Sequence, residues 1–222
     1  MTLLTEYSSI QDLPSQIPVF PLTGALLLPR AQLPLNVFEP RYLRMFSDAL
    51  SGERLIGMVQ PDKEKELIDE ADMPSVYQTG CAGRITSYTE TPDGHMLISL
   101  TGICRFQILR ELTSVTPYRL CQIDFQSFPD DLHIGRGESA VDREKLVDTF
   151  RKYLTANRMD ADWDEVNNAT TEALVNTLCV ISPFAAAEKQ ALLEADSLGK
   201  RAETLIALTE MALAGDNSAQ LQ

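Results

Sequence analysis

At 222 residues, with 44% hydrophobic and 23% charged residues, the chain can bury one large core or two small ones. A formal net charge of −13, spread over both halves without a block of lysines or arginines, argues against DNA or an anionic membrane as partner and disfavours RNA. No run approaches the roughly 20 apolar residues of a membrane span, and the opening MTLLTEYSSIQDLP carries no basic leader, so the expected compartment is the cytoplasm.

Residues 1–16 are polar and aperiodic and read as a loose lead-in. From Ile17 three apolar runs follow: Ile17 to Leu22, Ala25 to Leu28 and Gln32 to Phe38. Prolines at 18, 21, 29 and 34 cannot donate to a ladder, so strands here should lie at edges or begin just after a proline. Glu39-Pro40 opens a helix, Ser51-Gly52 closes it, and Leu55 to Val59 is a strand. The charged stretch Pro61 to Pro74 reads as a solvated loop, with a flap over a binding surface as its functional alternative. Val76 to Tyr88 is strand-like, and Gly80 and Gly83 mark a bulge or a close backbone approach. Thr91-Pro92-Asp93-Gly94 is a turn into an alternating strand, with Met96, Ile98 and Leu100 on one face. Gly102 permits a kink before Ile103 to Leu109, and Tyr118 to Phe125 is a last strand with Cys121, Ile123 and Phe125 on one face.

The pattern changes after Phe125. Ser127 to Glu138 (SFPDDLHIGRGE) has no period and is the expected linker, dividing a β-rich part over 17–126 from a helical part over 139–215. Leu146, Val147, Phe150, Tyr153 and Leu154 form one apolar stripe. Asp162 caps a second helix, with Glu165 placed as in a capping box, and its stripe is Val166, Thr170, Ala173, Leu174, Thr177, Leu178 and Ile181. Ser182-Pro183 reads as the start of a third helix, serine as cap and proline at the first position. Ser197 caps a fourth, which Gly215 should end, leaving 216–222 as a frayed tail.

Three blocks of this sequence together resemble one family. They are P-V-F-P-L (18–22) with L-P-L-N-V-F-E-P-R-Y (33–42) and I-G-M-V (56–59); G-C-A-G-R-I (80–85) with I-S-L-T-G-I-C-R-F-Q-I (98–108) and P-Y-R-L-C-Q-I (117–123); and E-K-Q-A-L-L-E (188–194) followed by R-A-E-T-L (201–205). In this order they are similar to the Lon N-terminal domain, the substrate-binding domain of the ATP-dependent protease Lon, which also occurs alone in small bacterial proteins and in cereblon. The resemblance implies an α+β fold: an N-terminal antiparallel PUA-like β-barrel or sheet carrying one helix, then a C-terminal helical bundle. It implies a module that binds exposed or unfolded polypeptide, or another protein. The PUA-like barrel raises a second class, an RNA- or nucleotide-binding module, which the acidic balance disfavours.

Chemistry is sparse. Gly199-Lys200 is followed by Arg201 and has no glycine five positions earlier, so no phosphate loop forms. The ATPase and Ser–Lys protease modules of full Lon proteases would begin where this chain ends, so no catalytic residue carries over. His95 and His133 sit in turn and linker, away from any G-x-S-x-G elbow. Cys81, Cys104, Cys121 and Cys179 lack a C-x-x-C and read as buried thiols. No enzyme, cofactor or metal is therefore expected. The polypeptide-binding candidates are Arg41 and Arg44, three apart on the first helix, and Phe128, Met159 and Trp163 near the junction. The two arginines would anchor a peptide carboxylate, or simply pair with Glu39, Asp48 or Glu53. Trp163 and Phe128 would line an apolar groove, or Trp163 would staple its own helix to the core.

Overall fold

The computed structural model describes residues 7–62 and 75–219, and the chain divides into two compact units on either side of the Ile134–Gly135 peptide. The charged loop expected from Pro61 to Pro74 lies, from residue 63 on, outside the described residues. Its two ends are held together: Asp62 N donates to Ser75 O (2.7 Å) and Tyr77 N to Gln60 O (3.0 Å).

Among the described residues, the first unit is a six-stranded sheet with one α-helix. Its elements are β1 (Gln16–Pro21), β2 (Gln32–Val37), α1 (Pro40–Leu50), β3 (Leu55–Val59), β4 (Thr79–Glu90), β5 (Met96–Leu112) and β6 (Arg119–Asp124). The order is β2-β5-β4-β3-β1-β6, and β6 pairs back onto the far end of β5, which closes a barrel. The sheet is mixed rather than wholly antiparallel, because β1 and β3 run parallel, with Val19 opposite Gly57 and Pro21 opposite Val59. Parallel neighbours need a crossover, and β2 with α1 supplies it.

That arrangement corrects the expectation for β1, which lies between β3 and β6. Its prolines are tolerated by register. Ser15 O accepts from Ile123 N of β6, and Leu22 N donates to Val59 O of β3, so odd residues face β6 and even residues face β3. Pro18 faces β3 one step before that pairing begins, and Pro21 faces β6 after that pairing has ended at Val19. Among the described residues β2 is an edge strand, as expected, paired only with β5.

The run Ala25 to Leu28 is no strand, yet Leu26, Leu27 and Leu28 are buried. β5 passes unbroken through Gly102, whose role is close approach: Arg30 N donates to Gly102 O (2.8 Å) and Gly102 N to Ala31 O (2.9 Å). The predicted turn forms, with Gly94 N donating to Thr91 O (2.9 Å). Met96, Ile98 and Leu100 point inward, as do Cys121, Ile123 and Phe125. α1 starts with Pro40 at its first turn and buries Tyr42, Met45, Phe46 and Ala49, an i, i+3, i+4, i+7 face. From Tyr7 on the lead-in is packed: a 3₁₀ turn at Ile10–Asp12 is capped by Ser9, and Leu13 joins the core around Phe106.

The stretch expected as a surface linker is structured on both sides of the division. Within the β unit, Pro129–Leu132 makes a 3₁₀ turn, and Phe128 and Asp131 are buried. Within the helical unit, Glu138 Oε1 accepts from Glu172 N (2.8 Å) and Glu172 Oε2 from Gly135 N (2.9 Å).

The helical unit contains α2 (Arg143–Ala156), α3 (Trp163–Asn168), α4 (Thr171–Ile181), α5 (Ala186–Glu194) and α6 (Leu198–Ala219). Asp142, Asp162, Thr170 and Ser197 each accept from a first-turn N–H, as helix caps do. Three expectations change. The second predicted helix is two, because Thr170 caps a new start and Arg143 Nη2 takes the carbonyl of Val166 (2.8 Å) at the end of α3. Ser182 ends α4 instead of starting α5: its hydroxyl donates to Leu178 O (2.6 Å), while Glu188 Oε2 accepts from Ala185 N (2.7 Å) to open α5. And α6 continues through Gly215 to Ala219. Buried Arg201 ties three helices, its Nε donating to Leu192 O (3.0 Å) and its Nη1 to Asn176 Oδ1 (3.1 Å).

Candidate functional site

Each unit carries a cleft. That of the β unit encloses about 500 Å³, bounded by the end of β1 and Leu22-Thr23, by β2 with Phe38, by the start of α1, and by Pro61 and Pro117 to Arg119. Its position follows from the sheet. Ala31 O accepts from Gly102 N of β5, so by alternation odd residues of β2 face β5 and even ones face away. Pro34 thus has its missing N–H on the open side, and Asn36 presents an N–H and a carbonyl there. Leu35 and Val37 are buried while Phe38 stays 59% exposed.

An aromatic cluster supports the floor: Phe20 lies 4.4 Å from Tyr42 and 5.9 Å, edge to face, from Phe46. The Arg41 guanidinium lies 4.5 Å over the Tyr42 ring and bonds Glu39 through Nε (3.0 Å) and Nη2 (2.9 Å). Burial raises the Tyr42 phenol above its ordinary range, against the opposing pull of Arg41. Arg119, which also lines the cleft, binds Glu111 (2.8 Å). Among the described residues, the cleft therefore offers an unpaired backbone edge, apolar rings, and guanidinium groups held in place by carboxylates. An extended chain can use all three.

The helical unit's cleft encloses about 440 Å³ and is apolar. Val147, Phe150 and Leu154 of α2 form one wall, at i, i+3 and i+7. Ala173, Thr177 and Ile181 of α4 form the other, over buried Leu174 and Leu178. Met159, Trp163, Val166 and Ala169 cover the third side, and Asp160, Asp162 and Glu165 rim it. Arg151 stacks on Trp163 at 4.5 Å.

The five candidates from sequence are thus dispersed. Arg41 lines the first cleft, whereas Arg44 points away from it and bonds Asp48 (2.9 Å). Met159 and Trp163 line the second cleft. Phe128 is buried in the β unit's own core with Arg105 4.2 Å over its ring, so its surface is already covered. Sequence reasoning missed Phe20, Asn36, Phe38, Tyr42 and Arg119. The signal for the β2 residues was Pro34 inside an otherwise alternating strand, which marks an edge.

Among the described residues, no group of three or more His, Cys, Asp or Glu side chains is placed to hold a metal ion. His95 Nδ1 lies 3.6 Å from Asp93 in the β4–β5 turn. Burial pushes the Cys104 thiol well up, that of Cys121 up to about 11 and that of Cys179 up to about 12. A thiol must ionise to react. Ellman's reagent at pH 8 should therefore leave all four cysteines unmodified in the native protein and titrate all four after unfolding. Rapid native-state labelling would show that the core opens readily.

Comparison with known proteins places these features in context. Residues 16–210 match the family model described as the ATP-dependent protease La (LON) substrate-binding domain. A Lon protease of Parabacteroides distasonis is 30% identical over 208 residues, covering 89% of this chain and 24% of the relative. One from Flavobacterium johnsoniae is 26% identical over 199 residues, covering 88% and 24%. The chain thus spans about a quarter of the length of these relatives. In fold it is similar to the N-terminal domain of a Mycobacterium avium complex Lon protease (TM-score 0.64, 18% identity, 88% of this chain and 98% of that one). It is likewise similar to a Lon N-terminal domain protein from Xanthomonas campestris (TM-score 0.58, 22% identity, 87% and 98%).

Proposed function

This chain belongs to the family of substrate-binding domains of the ATP-dependent protease La, or Lon, and on that premise we propose that it is a non-catalytic module that binds exposed, extended polypeptide in the β-unit cleft. The observation that carries the reading is the open edge of β2 beside an aromatic floor. A segment laid along Asn36 adds main-chain hydrogen bonds to the sheet, while Phe20, Phe38 and Tyr42 receive its apolar side chains. Arg41 serves as a flanking anchor for carboxylates. The proposed compartment is the cytoplasm; no helix among the described residues is long and apolar enough to cross a membrane.

Binding of this kind draws on apolar burial, less the cost of ordering a flexible chain. Affinity should be on the order of micromolar and only mildly salt-dependent, unlike phosphate recognition. The test titrates a labelled, permanently unfolded model protein and a short RNA, each at low and high salt, against wild type, Asn36→Pro and Phe38→Ala. Asn36→Pro removes an outward N–H without touching the β5 ladder, so the fold should persist while affinity drops about tenfold, or 1.4 kcal/mol. Unchanged binding by both variants would remove the β2 edge as the site. Tight RNA binding that salt abolishes would favour the nucleic-acid class.

A further inference from the structure

We propose that the helical unit's cleft is a second docking surface, one that takes an amphipathic helix whose apolar stripe is flanked by lysines or arginines. Three features of the cleft select this occupant. Its floor and walls are apolar, and Ile181 and Met159 remain 66% and 57% exposed, more than a helical unit leaves open along an inward stripe. Its two long walls are helices whose backbone groups are bonded within themselves, and no strand lines the cleft, so the partner must satisfy its own backbone. A helix does that, and an extended chain does not. Finally, Asp160, Asp162 and Glu165 rim the cleft, none of its lining residues is basic, and Arg151 beside it is stacked on the Trp163 ring, a balance that selects positive flanks on the partner. A second copy of this chain, at a net charge of −13, meets repulsion there.

This surface is distinct from the β2 edge, and the test separates the two. The probe is a designed peptide with leucines at i, i+3, i+4 and i+7 and lysines beside them. One control has the same composition scrambled to break the stripe, and another carries glutamates in place of lysines. Binding to the full chain is followed by Trp163 fluorescence and by peptide anisotropy. The striped lysine peptide should bind, the scrambled one about tenfold more weakly. Ile181→Glu, at an exposed position, should lower affinity for the striped peptide by a similar factor. Asp160→Lys with Glu165→Lys should shift preference to the glutamate peptide, and Asn36→Pro should leave binding intact.

Equal binding of striped and scrambled peptides would mean charge attraction alone and overturn the proposal. So would an Ile181→Glu variant that binds as wild type, or loss of binding in Asn36→Pro, which would place the peptide at the β2 edge. If no peptide binds and Ile181→Glu instead abolishes self-association in sedimentation, the cleft belongs to a second copy and the proposal fails.

Discussion

Replacing Asp131 by alanine should cost about 3–5 kcal/mol of stability, the range for breaking one half of a buried ion pair. Asp131 accepts three bonds from one residue: from Arg105 N and Nε at its Oδ2 (2.9 and 2.8 Å) and from Arg105 Nη2 at its Oδ1 (2.9 Å). Both side chains are nearly inaccessible, at 4% and 8%. The segment is held further by Arg30 Nη1, which donates to Asp131 O (2.6 Å), and by Phe128, packed under the Arg105 guanidinium. Removing the carboxylate leaves a guanidinium in the core without its counter-charge, and water cannot easily replace it. Replacing both partners, as Arg105→Met with Asp131→Leu, should restore much of the loss, because no buried charge remains. Urea denaturation of the two variants measures the contrast. A single substitution costing under about 1 kcal/mol would put the pair in the class of exposed bridges.

Gly102→Ala should be comparably damaging, although alanine ordinarily strengthens a strand by roughly 0.5–1 kcal/mol over glycine. A Cβ there would stand 2.0 Å from Leu28 O and 2.7 Å from Leu28 C, both backbone atoms. They cannot yield without breaking the two bonds between Gly102 and the 30–31 backbone, each worth about 1 kcal/mol. Displacing them also pulls Leu26, Leu27 and Leu28 out of the core. The sum exceeds about 3 kcal/mol. Gly94, at φ +81° but in open space, supplies the comparison: alanine there costs only the left-handed conformation, about 1–2 kcal/mol. Equal losses at the two positions would mean that the 28–31 segment moves aside freely.

Much of the fold was legible because the deciding interactions are local. The Thr91 to Gly94 turn sets its own geometry, and the alternation of Met96, Ile98 and Leu100 needs only a pleat. α1 was bounded by Pro40 and Ser51-Gly52 in the sequence, as it is in space. Where readings failed, two local signals competed and a third group decided. Ser182 can cap a following helix or bond back to the preceding turn. The hydroxyl bond to Leu178 O, together with the Glu188 carboxylate at Ala185 N, settled the choice. At the 163–181 segment, Arg143 from another helix stabilised a break that periodicity alone would run through.

The sequence by itself determined the order of strands and helices and most of their positions, since these rest on turn chemistry, caps and periodicity within a few residues, while the family rested on the resemblance of three sequence blocks. Only tertiary structure decided that β1 sits inside the sheet, because its prolines are harmless solely where neither neighbouring ladder reaches them. Tertiary structure also drew two residues of the expected linker, Phe128 and Asp131, into the core of the β unit, where Asp131 binds Arg105. The clefts belong to the same class. Which apolar residues stay uncovered, Phe38 on an open edge or Ile181 between helices, depends on what else packs beside them, and no stretch of chain carries that within itself.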